Sequence, residues 1–316
     1  MTAKLLLKCY LAGVIAVKFP GEQSHDMDAN GRHDVAFQGV AAAFAENAAL
    51  AFAGASARTL PCHRLEEAFD AVERGAAAFA TLPIENSLAG PVLSSYDLLA
   101  ARALNLVGEV VLRVSHALIA PRGVPFEAIR RVFSHPIALA QCEDFFRKNP
   151  QIEAIAAYNT AGAARDVIAA NTGDAAAIAA SRAADVHGGA VLLRALEDHP
   201  QNFTRFLLAA LPGAAPPPGA WSKARKTSLM LTLPHRPGTL AAALTVFADR
   251  AIDLSKIESR PLRGRPFEYA FFIDLAGDAD DPALADAIRD IASRANTVRL
   301  LGSYGALSGS SAPGGD

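Results

Sequence analysis

The sequence predicts an α/β protein in two parts, a larger unit of alternating strands and helices and a smaller β-α-β-β-α-β unit. Three observations carry that expectation. Apolar strand-like runs alternate with helical runs from Asp34 to Leu196, the pattern of parallel sheets flanked by helices. Residues 212–225 are rich in Pro, Gly and Ala and include Pro216-Pro217-Pro218, which makes a semi-extended linker without a core. Beyond it the signals run in ferredoxin-like order.

Asp34–Gln38 reads as the first strand and residues 41–50 as the helix after it. Arg58–Leu60 is a short second strand. A helix over Leu65–Gly75 places Leu65, Ala68, Phe69 and Val72 on one side, the spacing of an amphipathic helix. Ala77–Ile84 is an apolar strand that stops at Pro83-Ile84-Glu85-Asn86-Ser87, and a helix runs from about Val92 to Ala103. Leu106–Leu112 and Ser115–Ala120 alternate as strands do. Arg131–Phe133 leads into Ser134 and a helix through Ala138–Lys148. Ile152–Tyr158 is a strand entering a helix at Asn159-Thr160, and Ala175–Ala180 repeats that unit before a short helix and Val191–Leu196. The change of pattern near residue 105, with a return near residue 190, suggests two lobes joined by two crossings.

Gln201–Phe206 closes the larger unit. As a strand it places Asn202, Thr204 and Phe206 on one face, Phe203 and Arg205 on the other. After the linker, Thr227–Leu233 is a strand and Gly238–Arg250 a helix. Asp253–Glu258 and Tyr269–Leu275 are strands around a basic hairpin, Pro282–Ala295 is a helix and Val298–Tyr304 the last strand. The expected domains are an extension at 1–32, a first domain at 33–211, the linker at 212–225 and a second domain at 226–305. A Gly/Ser-rich tail at 306–316 is expected to be disordered.

Composition narrows the function. At 316 residues the chain can hold two modest domains with their own cores. A net charge of −2 gives no electrostatic footprint for nucleic acid. Cys9, Cys62 and Cys142 are odd in number and form no C-x-x-C pair, so neither a disulfide framework nor a zinc site is indicated. The eight histidines show no helical metal spacing, and no metal is expected. Lys4 and Lys8 precede an apolar run that Lys18 interrupts, with no small-residue cleavage site after it. That run is too short to span a bilayer, so no membrane contact and a cytoplasmic location are expected. The polar run starting at Met27 offers an alternative start.

Three polar words fall where strands run into helices: Glu85-Asn86-Ser87, Ser134-His135-Pro136 and Asn159-Thr160. Ligands of open α/β sheets bind at such junctions, where the same residue types also serve as helix caps. Pro83-Ile84-Glu85-Asn86-Ser87, Ser134-His135-Pro136, Gln141-Cys142, Asn202-Phe203-Thr204-Arg205-Phe206 and Glu258-Ser259-Arg260-Pro261, in this order, make the chain resemble prephenate dehydratase. The resemblance implies a two-lobed, periplasmic-binding-protein-like catalytic domain with an interlobe cleft, followed by an ACT regulatory domain. It implies a cofactor-free carbon–oxygen lyase of phenylalanine biosynthesis, acting on prephenate and regulated by L-phenylalanine in a homo-oligomer, a dimer or tetramer. Arogenate is the alternative substrate, and a non-catalytic two-lobed sensor the alternative class.

Thr204 matches the catalytic threonine of that family. A hydroxyl leaves poorly as hydroxide, so a proton or strong hydrogen bond must reach it as the C–O bond breaks, and Asn202 on the same face would support Thr204. Asn86, Ser87, Ser134, Gln141, Thr160, Asn202 and Arg205 are the expected substrate-binding residues. Regular alternation would turn Arg205 away from Thr204, whereas a twist or bulge would let it meet a carboxylate as a bidentate pair. Glu85, His116 and His135 are candidate acids with structural roles as the alternative. The resemblance places the effector at Gly238, Thr239 and Leu240 and at Glu258, Ser259, Arg260 and Pro261, where ACT domains pair. The chain departs from the family pattern at Ala41–Ala45, which lacks a Pro-Gly turn, at Ile137 in place of Gln, and at Thr239 and Ala241.

Overall fold

The computed structural model describes residues 32–262 and 264–307. The extension at 1–31 and the tail at 308–316 lie outside the described residues. The chain opens with β1 (His33–Gln38), α1 (Phe44–Ala53), β2 (Thr59–Cys62), α2 (Leu65–Glu73), β3 (Ala77–Asn86) and β4 (Gly90–Pro91). It continues with α3 (Leu93–Ala101), β5 (Asn105–Arg113), β6 (Ala117–Pro121), a 3-10 turn at Phe126–Ala128 and β7 (Arg131–Ser134). Then follow α4 (Pro136–Ala140), α5 (Glu143–Lys148), β8 (Glu153–Ala156), α6 (Thr160–Ala170), β9 (Ala175–Ala179), α7 (Arg182–His187) and β10 (Gly189–Leu193). The last stretch holds β11 (Phe203–Ala210), β12 (Trp221–Thr232), α8 (Thr239–Ala248), β13 (Leu254–Pro261), β14 (Tyr269–Ala276), α9 (Pro282–Arg294) and β15 (Thr297–Leu307).

These elements fall into two compact units. One comprises residues 39–47 and 113–202; the other comprises 33–38, 48–112 and everything described from Phe203 onward. The chain therefore passes between the units four times rather than twice: at 112–113 and 202–203 instead of near 105 and 190, and also at 38–39 and 47–48. The reason is pairing: β5 hydrogen-bonds within the larger unit's sheet, and β10 pairs antiparallel with β6 in the smaller one.

In the larger unit the strand order is β13-β14-β12-β15-β5-β11-β3-β1-β2, with β4 added to β3. β1 runs parallel to β2 and β3, while β11 pairs antiparallel with β3, so the expected all-parallel arrangement is mixed instead. The expected amphipathic face of α2 is buried, with Leu65, Ala68, Phe69 and Val72 all under cover. The second domain has the expected β-α-β-β-α-β order, its strands β12 to β15 all antiparallel. Its sheet joins the strands of the first domain through a parallel bridge between Ala306 and Glu109. One apolar cluster takes in Leu82, Tyr96 and Leu207 from the first domain and Phe272, Leu301 and Tyr304 from the second. The two domains share a core on this side.

The smaller unit holds the sheet β10-β6-β9-β7-β8. β6 and β9 are buried along their whole length and pair antiparallel; β7 is parallel to both β8 and β9. The single helix expected over Ala138–Lys148 is broken at Gln141-Cys142. Asp198 is the cause: its carboxylate accepts the Glu143 and Asp144 amides at 2.8 and 3.0 Å, capping α5 as a new helix start. Helix α1 begins at Phe44 rather than Ala41, because Ala42 turns left-handed (φ 69°) and its amide is taken by Glu46 at 2.6 Å.

The linker is shorter than expected. β12 starts at Trp221, whose ring stacks on Phe52 at 6.1 Å and whose indole N–H donates to Pro217 O at 2.8 Å. At the other end Ala306 and Leu307 belong to β15, not to the tail. Two glycines make the domain junction. A Cβ at Gly302 would collide with the Leu106 carbonyl, and one at Gly108 would stand 2.5 Å from the Trp221 ring. Gly302→Ala should therefore destabilise the chain by about 1–3 kcal/mol, the cost of overpacking, read as a lower urea midpoint. An unchanged midpoint would mean that β15 and β5 do not approach this closely.

Candidate active site

Strand β11 positions the central residue. It pairs with the end of β3 so that Thr204 stands opposite Asn86 and Arg205 opposite Glu85, with an irregularity between Arg205 and Phe206. The Asn86 carboxamide donates to Thr204 Oγ1 at 3.0 Å and to Phe203 O at 3.1 Å. Its oxygen accepts the Leu88 and Ala89 amides at 3.0 and 2.8 Å, which fixes its orientation. Ser87 closes the strand end, its amide donating to Phe203 O (2.8 Å) and its Oγ accepting from Phe203 N (2.9 Å). Thr204 Oγ1 is thus an acceptor toward Asn86, and its own O–H remains to be donated elsewhere. A hydroxyl whose oxygen already accepts a hydrogen bond is the stronger donor.

Arg205, expected among the substrate-binding residues, lies in the interior. The strand keeps its alternation, and Arg205 is only 7% exposed on the side opposite Thr204. Its guanidinium donates to Glu109, to Asp274 at 2.6 Å and to Tyr304 OH at 3.1 Å. Glu109 also takes Lys226 Nζ at 2.8 Å, and Ser228 Oγ bridges Asp274 and Tyr304. Burial alone would weaken the Arg205 charge; Tyr304, Asp274 and Glu109 outweigh it and raise its pKa above the ordinary arginine value. Removing one partner from such a buried pair typically costs about 3–5 kcal/mol. Glu85 is no free acid either, since Lys256 pairs with it.

The smaller unit gathers a second cluster. Gln141 Oε1 accepts from Asn202 Nδ2 and from His116 Nε2, each at 2.9 Å. Two donors on one oxygen place the His116 proton on Nε2, leaving Nδ1 an acceptor that is buried without a hydrogen-bond partner. Asn202 is fully buried and its carbonyl accepts the Val114 amide at 2.7 Å. It therefore does not support Thr204 as expected, because β11 begins only at Phe203; Asn86 holds that position. Ser134, also expected at the substrate, is 0% exposed and donates to Ile178 O at 2.6 Å across β7 and β9. His135 caps α4, accepting the Ile137 amide at 3.2 Å. Asn159 caps α6, and Thr160 occupies its first turn half-buried.

In the second domain a cavity of about 410 Å³ is lined by Pro234, Arg236, Thr239, Leu240, Tyr269 and Phe271, among others. Gly238 precedes it with a left-handed φ of 85°, and Thr239 Oγ1 is tied to the Pro234 and Arg236 carbonyls. The word Glu258-Ser259-Arg260-Pro261 does not line this cavity within one chain. It lies on β13, where Arg260 grips the Asp97 carboxylate of α3 at 2.9 and 3.0 Å.

The sequence signal for the Arg205 cluster is a lone acid inside each of two apolar strands, Val107-Gly108-Glu109-Val110-Val111 and Phe271-Phe272-Ile273-Asp274-Leu275. A buried carboxylate requires a cation, but which one only the register reveals. Among the described residues no group of acids, histidines and cysteines is arranged to hold a metal ion. No helix among them is long and apolar enough to cross a membrane.

The fold and these motifs define a two-lobed α/β carbon–oxygen lyase with an ACT domain. The chain belongs to the prephenate dehydratase family: that family's profile matches residues 35–212, and the ACT domain profile matches 227–293. It is 42% identical over 279 residues to arogenate dehydratase/prephenate dehydratase 2 (chloroplastic) of Arabidopsis thaliana, covering 85% of this chain and 72% of the relative. Prephenate dehydratase from Arthrobacter aurescens, solved with L-Phe, superposes with a TM-score of 0.78 at 34% identity, over 86% of this chain and 89% of that one. GqqA, described as a novel type of quorum-quenching acylase, superposes with a TM-score of 0.79 at 32% identity, over 87% and 98%.

The buried His116 carries a pH dependence. Burial lowers its pKa below the ordinary value, and the Gln141 hydrogen bond and Glu197 do not offset that. Burial lowers His135 and His187 as well. Unfolded, such a histidine protonates near 6.5, whereas the folded chain resists. Stability is therefore whole above that pH and is lost as pH falls toward the folded values. The melting temperature should drop between about pH 7.5 and about pH 5.5, less steeply in His116→Asn. Equal slopes would show that His116 is not held neutral.

Proposed function

We propose that the chain catalyses the decarboxylating dehydration of prephenate to phenylpyruvate, with Thr204 donating to the departing ring hydroxyl. The observation carrying this reading is the Asn86–Thr204 hydrogen bond at 3.0 Å, in which Oγ1 accepts and so keeps its own proton to donate. As the C–O bond breaks, the hydroxyl leaves with that proton as water. The bond to the ring carboxylate breaks as CO2 leaves, and its electron pair completes the aromatic ring. Asn86 then stabilises the partial negative charge on Oγ1, a donor already in place before the reaction. Thr204 recovers a proton from solvent. The reaction needs no cofactor, because aromatisation supplies the driving force.

The turning away of Arg205 fits this chemistry. A guanidinium on the ring carboxylate would stabilise the charge that decarboxylation removes and so favour the ground state. The groups around Thr204 are instead amides and hydroxyls. Arogenate is a second reading, favoured by the 42% identity to a plant relative named for both activities. Acyl transfer of the kind GqqA is named for would need a base to activate the hydroxyl, and the partner of Thr204 is a carboxamide donor.

We assign L-phenylalanine to the second-domain cavity as allosteric effector, in a homo-oligomer where the Glu258–Pro261 word of a second copy would complete the site. The Arthrobacter relative was solved with L-Phe. The reading includes a cytoplasmic setting, as the sequence suggests.

Parallel assays with prephenate and arogenate test the proposal. Thr204→Ala should cut kcat by about 10²-fold or more, the scale of a positioned proton donor, and Thr204→Ser should retain most of it. Near-normal turnover in Thr204→Ala would remove that residue from the mechanism. Trp221 is the sole tryptophan and sits at the domain junction. L-Phenylalanine should change its fluorescence and raise the melting temperature, and Leu240→Arg, which fills the cavity, should abolish both. Responses that survive this substitution would place the effector elsewhere.

A further inference from the structure

We propose that Arg205 is a positioning residue for Thr204, and that the ACT sheet holds the catalytic strand in register by gripping its guanidinium. The proposal rests on the reading of Thr204 given above.

The two residues are neighbours on β11 with opposite surroundings. Thr204 is half-buried and tied to Asn86, whereas Arg205 is interior. Groups of the second domain bond Arg205 or its partners directly: Asp274 on β14, Tyr304 on β15, and Lys226 and Ser228 on β12. The catalytic side contributes Glu109, whose other carboxylate bonds go to Lys226. Glu85, opposite Arg205 in the ladder, lies 3.6 Å from its guanidinium and is paired with Lys256 of β13. The cluster holds three acids (Glu85, Glu109, Asp274) and three bases (Arg205, Lys226, Lys256), so its charges balance only when both domains contribute.

The grip falls where β11 needs it. Regular pairing with β3 is interrupted between Arg205 and Phe206, so ladder hydrogen bonds alone do not fix the rotation of this segment. A fork held at Nε by Glu109, at one terminal nitrogen by Asp274 and at the other by Tyr304 does. Since Cβ directions alternate, a twist of the Arg205 peptide swings Thr204 Oγ1 the opposite way. Small misplacements of a reacting group lower rates by large factors. The second domain thereby acts on turnover through the side of the strand that substrate does not touch.

The experiment compares Asp274→Asn and Tyr304→Phe, each in the full chain and in a Thr204→Ala background. With Thr204 present, Asp274→Asn should lower kcat about tenfold and Tyr304→Phe about threefold, with KM within about twofold. With Thr204 absent, neither should change the residual rate by more than about twofold, because a positioning residue has nothing left to position. Equal fractional losses in both backgrounds, or unchanged kcat in folded variants, would overturn the proposal. Should Asp274→Asn fail to fold, the uncharged Tyr304→Phe change decides alone. Hydrogen exchange supplies a readout without substrate: the Ser87 and Phe203 amides, bonded across this strand end, should exchange faster in both variants. Unchanged protection would also overturn the proposal. Should the unsubstituted chain turn over neither substrate, the reading of Thr204 fails, and the exchange result still decides the grip.

Discussion

The alternation of one strand governs this protein. β11 presents Thr204 on one face and Arg205 on the other, and the two faces have opposite electrostatic demands. On the Thr204 side the polar groups are neutral: the Asn86 carboxamide bonds Oγ1, and the Ser87 hydroxyl takes the neighbouring Phe203 amide. Around Arg205 the interior is crowded with carboxylates that must be neutralised. The guanidinium is thus kept on the interior side, one residue from the Thr204 hydroxyl.

The same constraint explains why the two domains are packed rather than merely tethered. Glu109 and Asp274 are buried acids in otherwise apolar strands, and neither could remain charged there without a cation. Arg205 satisfies both. The shared apolar cluster, the bridge between Ala306 and Glu109 and the close approach at Gly302 form the surroundings of that ion network. A ligand that alters the second domain's sheet can therefore reach the catalytic strand through contiguous contacts.

Much of this was legible in the residues. The strand and helix order was readable because hydrophobic periodicity reports local structure, and the ferredoxin-like order of the second domain follows from it. Thr204 and Asn86 were recognisable as words. Their pairing was not, since it depends on a register joining positions 118 residues apart in sequence. Alternation alone suggested Asn202 as the support for Thr204, but the strand starts one residue later and Asn202 bonds Gln141 instead. Ser134 reads in the sequence as a ligand-binding hydroxyl and lies in the interior on Ile178 O, since a short polar side chain at a strand end suits either role. The break between α4 and α5 was invisible for a similar reason: the cap, Asp198, lies far downstream in the chain.

The most direct measurement is a crystal structure of the full chain with an unreactive analogue that keeps the ring hydroxyl and both carboxylates. Thr204 Oγ1 should lie within about 3 Å of that hydroxyl oxygen, hydrogen-bond distance, while Arg205 stays on Asp274 and Glu109. A guanidinium of Arg205 turned onto an analogue carboxylate, or a Thr204 hydroxyl out of reach of the ring oxygen, would contradict the account.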